Sequence, residues 1–212
     1  MSKTSKNRTA AVCVAAACTI AAGCGDVVRQ GRAPVQLVIT ALEAASGAEP
    51  GEFGGTLQSD VVTIVERSEG DQQVRVPTVF NDNAEVRMAL ILKDPGQPGA
   101  PSVPTTINQV TVTRYRVVYR RADGRNTPGV DVPFPFDSGL TFTVPTTGTV
   151  SAGFQIVRHT AKQEAPLAAL VANPDVISTL AEVTFYGRDQ AGNDVSATGT
   201  IGIDFGNFGD PE

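Results

Sequence analysis

Tryptophan is absent from this 212-residue chain, and histidine occurs once, at His159. A single histidine argues against a histidine-built zinc site and leaves any Ser-His-Asp chemistry dependent on that one residue. No Gly-x-Ser-x-Gly turn accompanies it, so a surface histidine at a strand end is the expectation. Cysteine is confined to Cys13, Cys18 and Cys24. Everything beyond Cys24 must therefore be held by its core alone, without a disulfide. Positive charge is short, with 17 Lys+Arg against 22 Asp+Glu and a formal charge of −5. That balance disfavours nucleic acid as a partner, which requires a basic field. Phosphate-loop chemistry is missing too, because Gly54-Gly55 is not followed by a lysine and a helix. The uncharged run Thr9 to Ala22 falls short of the roughly 20 residues a spanning helix needs.

What is present begins at the N-terminus. Lys3, Lys6 and Arg8 form a basic head without an acid, the run Thr9 to Ala22 follows, and Ala21-Ala22-Gly23-Cys24 ends it. A basic head, a short apolar stretch and small residues before a processing point make a secretory signal. The small residues directly ahead of a cysteine resemble the lipobox of bacterial lipoproteins, with Ala21 standing where that motif usually has leucine. The resemblance implies cleavage between Gly23 and Cys24 and a covalent lipid on Cys24. It also implies an exported chain anchored to the cell envelope, with the membrane face and leaflet left open. Ordinary signal cleavage near Ala22 and an uncleaved anchor are the other two readings. Removal of residues 1–23 takes the formal charge from −5 to −8, which suits a soluble, self-repelling and monomeric ectodomain.

Gly 21 and Pro 14 are many for this length, and they punctuate short alternating runs. Residues 24–33 are expected to form a lipidated tether, residues 34–205 the folded domain and residues 206–212 a loose polar tail. Val35, Leu37, Ile39 and Ala41 alternate, and Val61 to Val65 is β-branched. Val86, Met88, Leu90 and Leu92 share a face. In Val110 to Arg121, Tyr115, Val117 and Tyr119 oppose Arg114, Arg116 and Arg120. Leu140, Phe142 and Val144 begin another strand, and Ala152, Phe154 and Ile156 point inward on the next. Val183 and Phe185 lead into a hairpin that returns through Val195, Ala197, Ile201, Ile203 and Phe205. Only residues 164–172, EAPLAALVA, suggest a helix of about two turns, with Pro166 suited to a first turn. The expectation is an all-β fold, a two-sheet antiparallel sandwich of about 7–9 strands with one short inserted helix.

The run Arg114 to Arg120 resembles the third strand of fibronectin type III and related immunoglobulin-like domains. The stretch Ala181 to Ala197, with its Asp-x-x-Gly-Asn turn at Asp189, resembles the closing hairpin of bacterial immunoglobulin-like domains. This resemblance implies binding, adhesion or scaffolding at the envelope, through another envelope protein or a glycan, without turnover.

Two surface features are candidate sites. Asp82, Asp189, Asn193 and Asp194 sit in Asn/Asp-rich turns whose oxygens could take Ca²⁺. The same residue types are the ordinary chemistry of turns, so turn formation is expected and calcium is not. Arg114, Arg116 and Arg120 form a basic stripe on an acidic protein. It could face an anionic partner, although cross-strand pairing with acids such as Glu182 is the expected use. The alternatives to a plain binding module are a calcium-dependent or carbohydrate-binding adhesion module, and a hydrolase with paired carboxylates.

Overall fold

A computed structural model describes residues 31–209 of the chain. Residues 1–30, with the signal, Gly23 and Cys24, lie outside the described residues, as do residues 210–212. The strands in chain order are β1 (Val35–Ala45), β2 (Thr56–Asp60), β3 (Thr63–Glu69), β4 (Gln72–Thr78), β5 (Asp82–Leu92), β6 (Gly96–Gln97), β7 (Ala100–Pro101), β8 (Val110–Arg120), β9 (Phe136–Val144), β10 (Val150–Val157), β11 (Ile177–Asp189) and β12 (Asp194–Gly206). The helix α1 (His159–Lys162) and a 3-10 turn at Leu167–Ala172 lie between β10 and β11, and a second 3-10 turn at Thr106–Asn108 precedes β8.

Two sheets face each other. One has the order β1-β5-β10, the other β2-β12-β11-β8-β9, and the pairs β3-β4 and β6-β7 are separate ribbons. The fold is mostly β and sandwich-like. Among the described strands the pairings are antiparallel except that β2 runs parallel to β12, Thr56 opposite Gly202 and Asp60 opposite Gly206. The chain leaves β1 in one sheet and enters β2 in the other, so β2 arrives at the sheet edge in the direction of β12.

Alternation explains the shared core. Val86 and Met88 of β5 are completely buried, as are Val117 of β8 and Val183 and Phe185 of β11. These side chains meet between the sheets with period 2. Aromatic rings bridge the layers: Phe154 of β10 lies 4.9 Å from Tyr115 and 5.2 Å from Phe185, both edge to face. The Tyr115 and Tyr119 hydroxyls donate to the Gln155 and Ile156 carbonyls at 3.0 and 2.7 Å. Those carbonyls flank the bulge where β10 slips against β5, so each buried phenol has a partner. Burial pushes the Tyr119 phenol well above its ordinary pKa.

Several expectations change here. In β1 a bulge between Ile39 and Ala41 switches the faces: Leu42 pairs with Val86 toward the core, and Ala41 pairs with Arg87. Inserting one residue into one strand reverses the side-chain direction of everything beyond it, and Ala41 gives no sequence sign of that. The β-branched run at Val61 is not one strand; Val61 itself donates to the Gly206 carbonyl at 2.9 Å in the break between β2 and β3. The β3-β4 ribbon went unrecognised because both its faces carry polar residues, such as Glu66, Arg67, Gln73 and Arg75.

At both ends of the described residues, packing reaches slightly beyond residues 34–205. Ala33 is already buried, so packing starts one residue before the expected domain boundary. Asn207 donates to the Val171 carbonyl at 2.9 Å, and the Phe208 N–H donates to Asp60 at 3.2 Å. The beginning of the tail is therefore tied to the fold. The helix expected at residues 164–172 is a 3-10 turn over Leu167–Ala172, and α-helix appears earlier, at α1. In a 3-10 turn, side chains three apart eclipse, and Leu167 and Leu170, both buried, use that spacing to fill the core together.

Candidate functional site

The basic stripe stands where the alternation of β8 puts it. Arg116 is opposite Asp137 of β9, and Arg114 and Arg116 each approach that carboxylate at 3.1 Å. Arg120 reaches Glu182 of β11 at 2.6 Å. All three guanidinium side chains are about half exposed, and such pairs each contribute about 0–1 kcal/mol. They arrange the surface more than they hold it together. The adjacent turn is organised in the same way: Asp123 accepts from Arg121 and Arg125, and those guanidinium hydrogen bonds hold its carboxyl well below the usual carboxylate range.

Arg114 differs from the other two, because its guanidinium also lies 4.1 Å above the Tyr186 ring. The two residues are direct cross-strand partners of β8 and β11, immediately before a register slip between Tyr186 and Gly187. Gly187 is needed there: a Cβ would stand 2.6 Å from the Thr111 carbonyl oxygen. A groove of about 620 Å³ lies beside the slip on the outer face, lined by Thr111, Thr113, Arg114, Tyr186, Arg188 and Asp194 among others. It offers a flat aromatic ring, two guanidinium groups and hydroxyls, a set suited to planar or anionic groups.

The Asn/Asp-rich turns do not come together. Asp189 ends β11 at the groove, whereas Asp82 starts β5 beside Val157, near the opposite end of the sheets where Asp60 meets Gly206. Asp189 closes its own turn: Oδ1 accepts from the Ala191 and Asn193 N–H groups at 3.0 and 2.8 Å, and Oδ2 accepts from the Asn193 amide at 2.7 Å. Asp194 accepts from Arg188 Nε at 2.7 Å. Among the described residues, no group of three or more His, Cys, Asp or Glu side chains is placed to hold a metal. His159 opens α1 at the surface, its Nδ1 3.0 Å from the Asn81 Oδ1.

A cluster that sequence reasoning missed surrounds Asp82. The carboxylate is fully buried, and Lys162, only 1% exposed, brings its ammonium to 2.8 Å from Oδ1. Gly47 N–H donates to Oδ1 at 2.9 Å and Ser59 Oγ–H to Oδ2 at 2.6 Å. Lys162 also donates to the Asp60 carbonyl at 2.8 Å. The Asp60 carboxylate is engaged separately, by Thr63 Oγ1 at 2.6 Å. Desolvation pushes the Asp82 carboxyl above its ordinary pKa, against the opposing pull of the Lys162 charge and the three donors. Nothing in Thr160-Ala161-Lys162-Gln163 marks this lysine as internal. Lysine is among the residues least often fully buried, and only the short helix after β10 turns it inward.

Comparison with known proteins found no matching family model, no matching curated protein and no matching solved structure.

Proposed function

We propose that this chain is an exported, lipid-anchored binding or structural module of the bacterial cell envelope that works without turnover. The observation that carries this reading is the N-terminal order of Lys3, Lys6 and Arg8, an uncharged run and Ala21-Ala22-Gly23-Cys24. Cys24 would bear the lipid, and the sandwich-like domain would stand just outside the membrane on a short tether. An immunoglobulin-like relationship is part of the proposal. It is supported by the opposed sheets β1-β5-β10 and β2-β12-β11-β8-β9 and by the tight Asp189 hairpin. The test is detergent phase partitioning of the full-length chain and Cys24→Ser in a bacterial host. Wild type in the detergent phase with the variant aqueous is the expected result, since acyl chains supply about 0.8 kcal/mol per buried methylene. If both remain aqueous, the anchor is excluded and secretion takes its place.

A second reading, recognition of an acidic glycan, is favoured by Arg114 stacked on Tyr186 within the outer groove. Titration with uronic-acid or sulfated oligosaccharides should perturb the tyrosine fluorescence and raise the melting temperature. Both responses should be lost in Tyr186→Ala, whose side chain is outside the core. A wild-type chain that responds to none of these oligosaccharides removes the glycan reading.

A further inference from the structure

The buried pair Lys162–Asp82 is arranged for more than charge neutralisation. A lysine amine and a carboxyl group are held in contact at 2.8 Å with almost no exposure to water. The carboxyl group is gripped on both oxygens, by Gly47 N–H and Ser59 Oγ–H. The remaining Lys162 contact is the neutral Asp60 carbonyl. No water is required for any of these hydrogen bonds, and the reacting groups come from parts of the chain 80 residues apart.

We propose that Lys162 and Asp82 are a condensation site, at which the folded protein joins the two side chains through an intramolecular isopeptide bond. In a dry site an ammonium–carboxylate pair loses the solvation that favours its charged form, and transfer of one proton gives a neutral amine beside a neutral carboxylic acid. The upward displacement of the Asp82 carboxyl by burial acts in that direction. Lys162 Nζ then bonds to the Asp82 Cγ. The charge that develops on the carboxyl oxygens is met by the Gly47 N–H and the Ser59 hydroxyl, donors already in place. The C–O bond to Oδ2 breaks, and the departing oxygen receives the two protons that nitrogen has given up. One ammonium and one carboxylate become one secondary amide and one water. No oxidant, metal or further reactant enters the balance.

Placement gives such a bond a structural use. Asp82 begins the central strand of the three-stranded sheet, and Lys162 ends the helix that leads the chain out of that sheet toward β11. A covalent bridge there would clamp the crossover to the sheet. The chain has no cysteine after Cys24, so a disulfide cannot do this. Proximity of the two groups in the folded state supplies the entropic part of the reaction, and unfolded chain would not react.

Tryptic digestion of the denatured full-length protein tests the proposal without any variant that might fail to fold. The expected product is a branched peptide joining residues 76–87 to residues 159–188, uncleaved at Lys162 and lighter by one water than the two free peptides together. Its fragmentation should place the bond between Asp82 and Lys162. In Lys162→Arg, which keeps the positive charge, residues 76–87 should be released as a linear peptide. Recovery of linear 76–87 and ordinary cleavage after Lys162 from the wild-type protein overturns the proposal and leaves an ion pair only.

Discussion

Lys162→Met is expected to destabilise the domain by about 3–5 kcal/mol, the usual cost of removing one partner from a buried ion pair. For a domain of this size that corresponds to a fall in melting temperature on the order of 10 °C. Methionine keeps most of the lysine volume, so packing loss is small and the effect isolates the charge. Asp82 is left in a site where desolvation already opposes its ionisation, with Ser59 and Gly47 still donating to it. Denaturant unfolding of wild type, Lys162→Met, Asp82→Leu and the double variant gives the coupling directly. The double variant should be less destabilised than the two single losses added together, because neither charge is then stranded. A Lys162→Met loss below about 1 kcal/mol would show that water reaches this site, contrary to its burial. A covalent Lys162–Asp82 bridge would enlarge the wild-type advantage by closing a long loop in the unfolded chain.

Phe185→Ala should cost a similar amount, about 3–5 kcal/mol, through a different mechanism. Phe185 is fully buried on β11, and its ring meets Phe154 edge to face at 5.2 Å and Tyr115 at 6.2 Å. Those two neighbours belong to opposite sheets, so truncation opens a cavity between the layers. Tyr115 is also tied by its hydroxyl to the Gln155 carbonyl, which limits collapse of its ring into the gap. The near-ultraviolet tyrosine signal should weaken while the far-ultraviolet strand signal persists. An unfolding midpoint unchanged from wild type would mean that the sheets do not pack through this residue.

How far the sequence could be read depended on whether a signal was local. Period-2 alternation in β5, β8, β11 and β12 marked the inward residues correctly, because each of these strands has one polar and one apolar face over most of its length. Asp189 and Asn193 were legible as turn chemistry for the same reason, since their partners are within four residues. The bulge in β1 was not legible: Ile39 to Leu42 carries apolar residues on either register, and the choice is made by β5 across the sheet. The groove was half visible. Arg114 could be assigned to the outer face from β8 alone, but its position over Tyr186 required β11 to pair with β8 in the register that sets the two residues opposite each other.

By itself the sequence determined the absence of disulfides after Cys24, the mostly β character and most of the core-facing residues. These follow from composition and from contacts between near neighbours, where the period of the backbone dictates which side chains share a face. Only the tertiary structure decided the parallel pairing of β2 with β12, the groove and the internal lysine. Each depends on segments far apart in the chain meeting in one register. Lys162 and Asp82 are 80 residues apart; neither one's surroundings in sequence carries the other, and a lysine becomes tolerable inside a protein only once the fold has brought it a carboxylate.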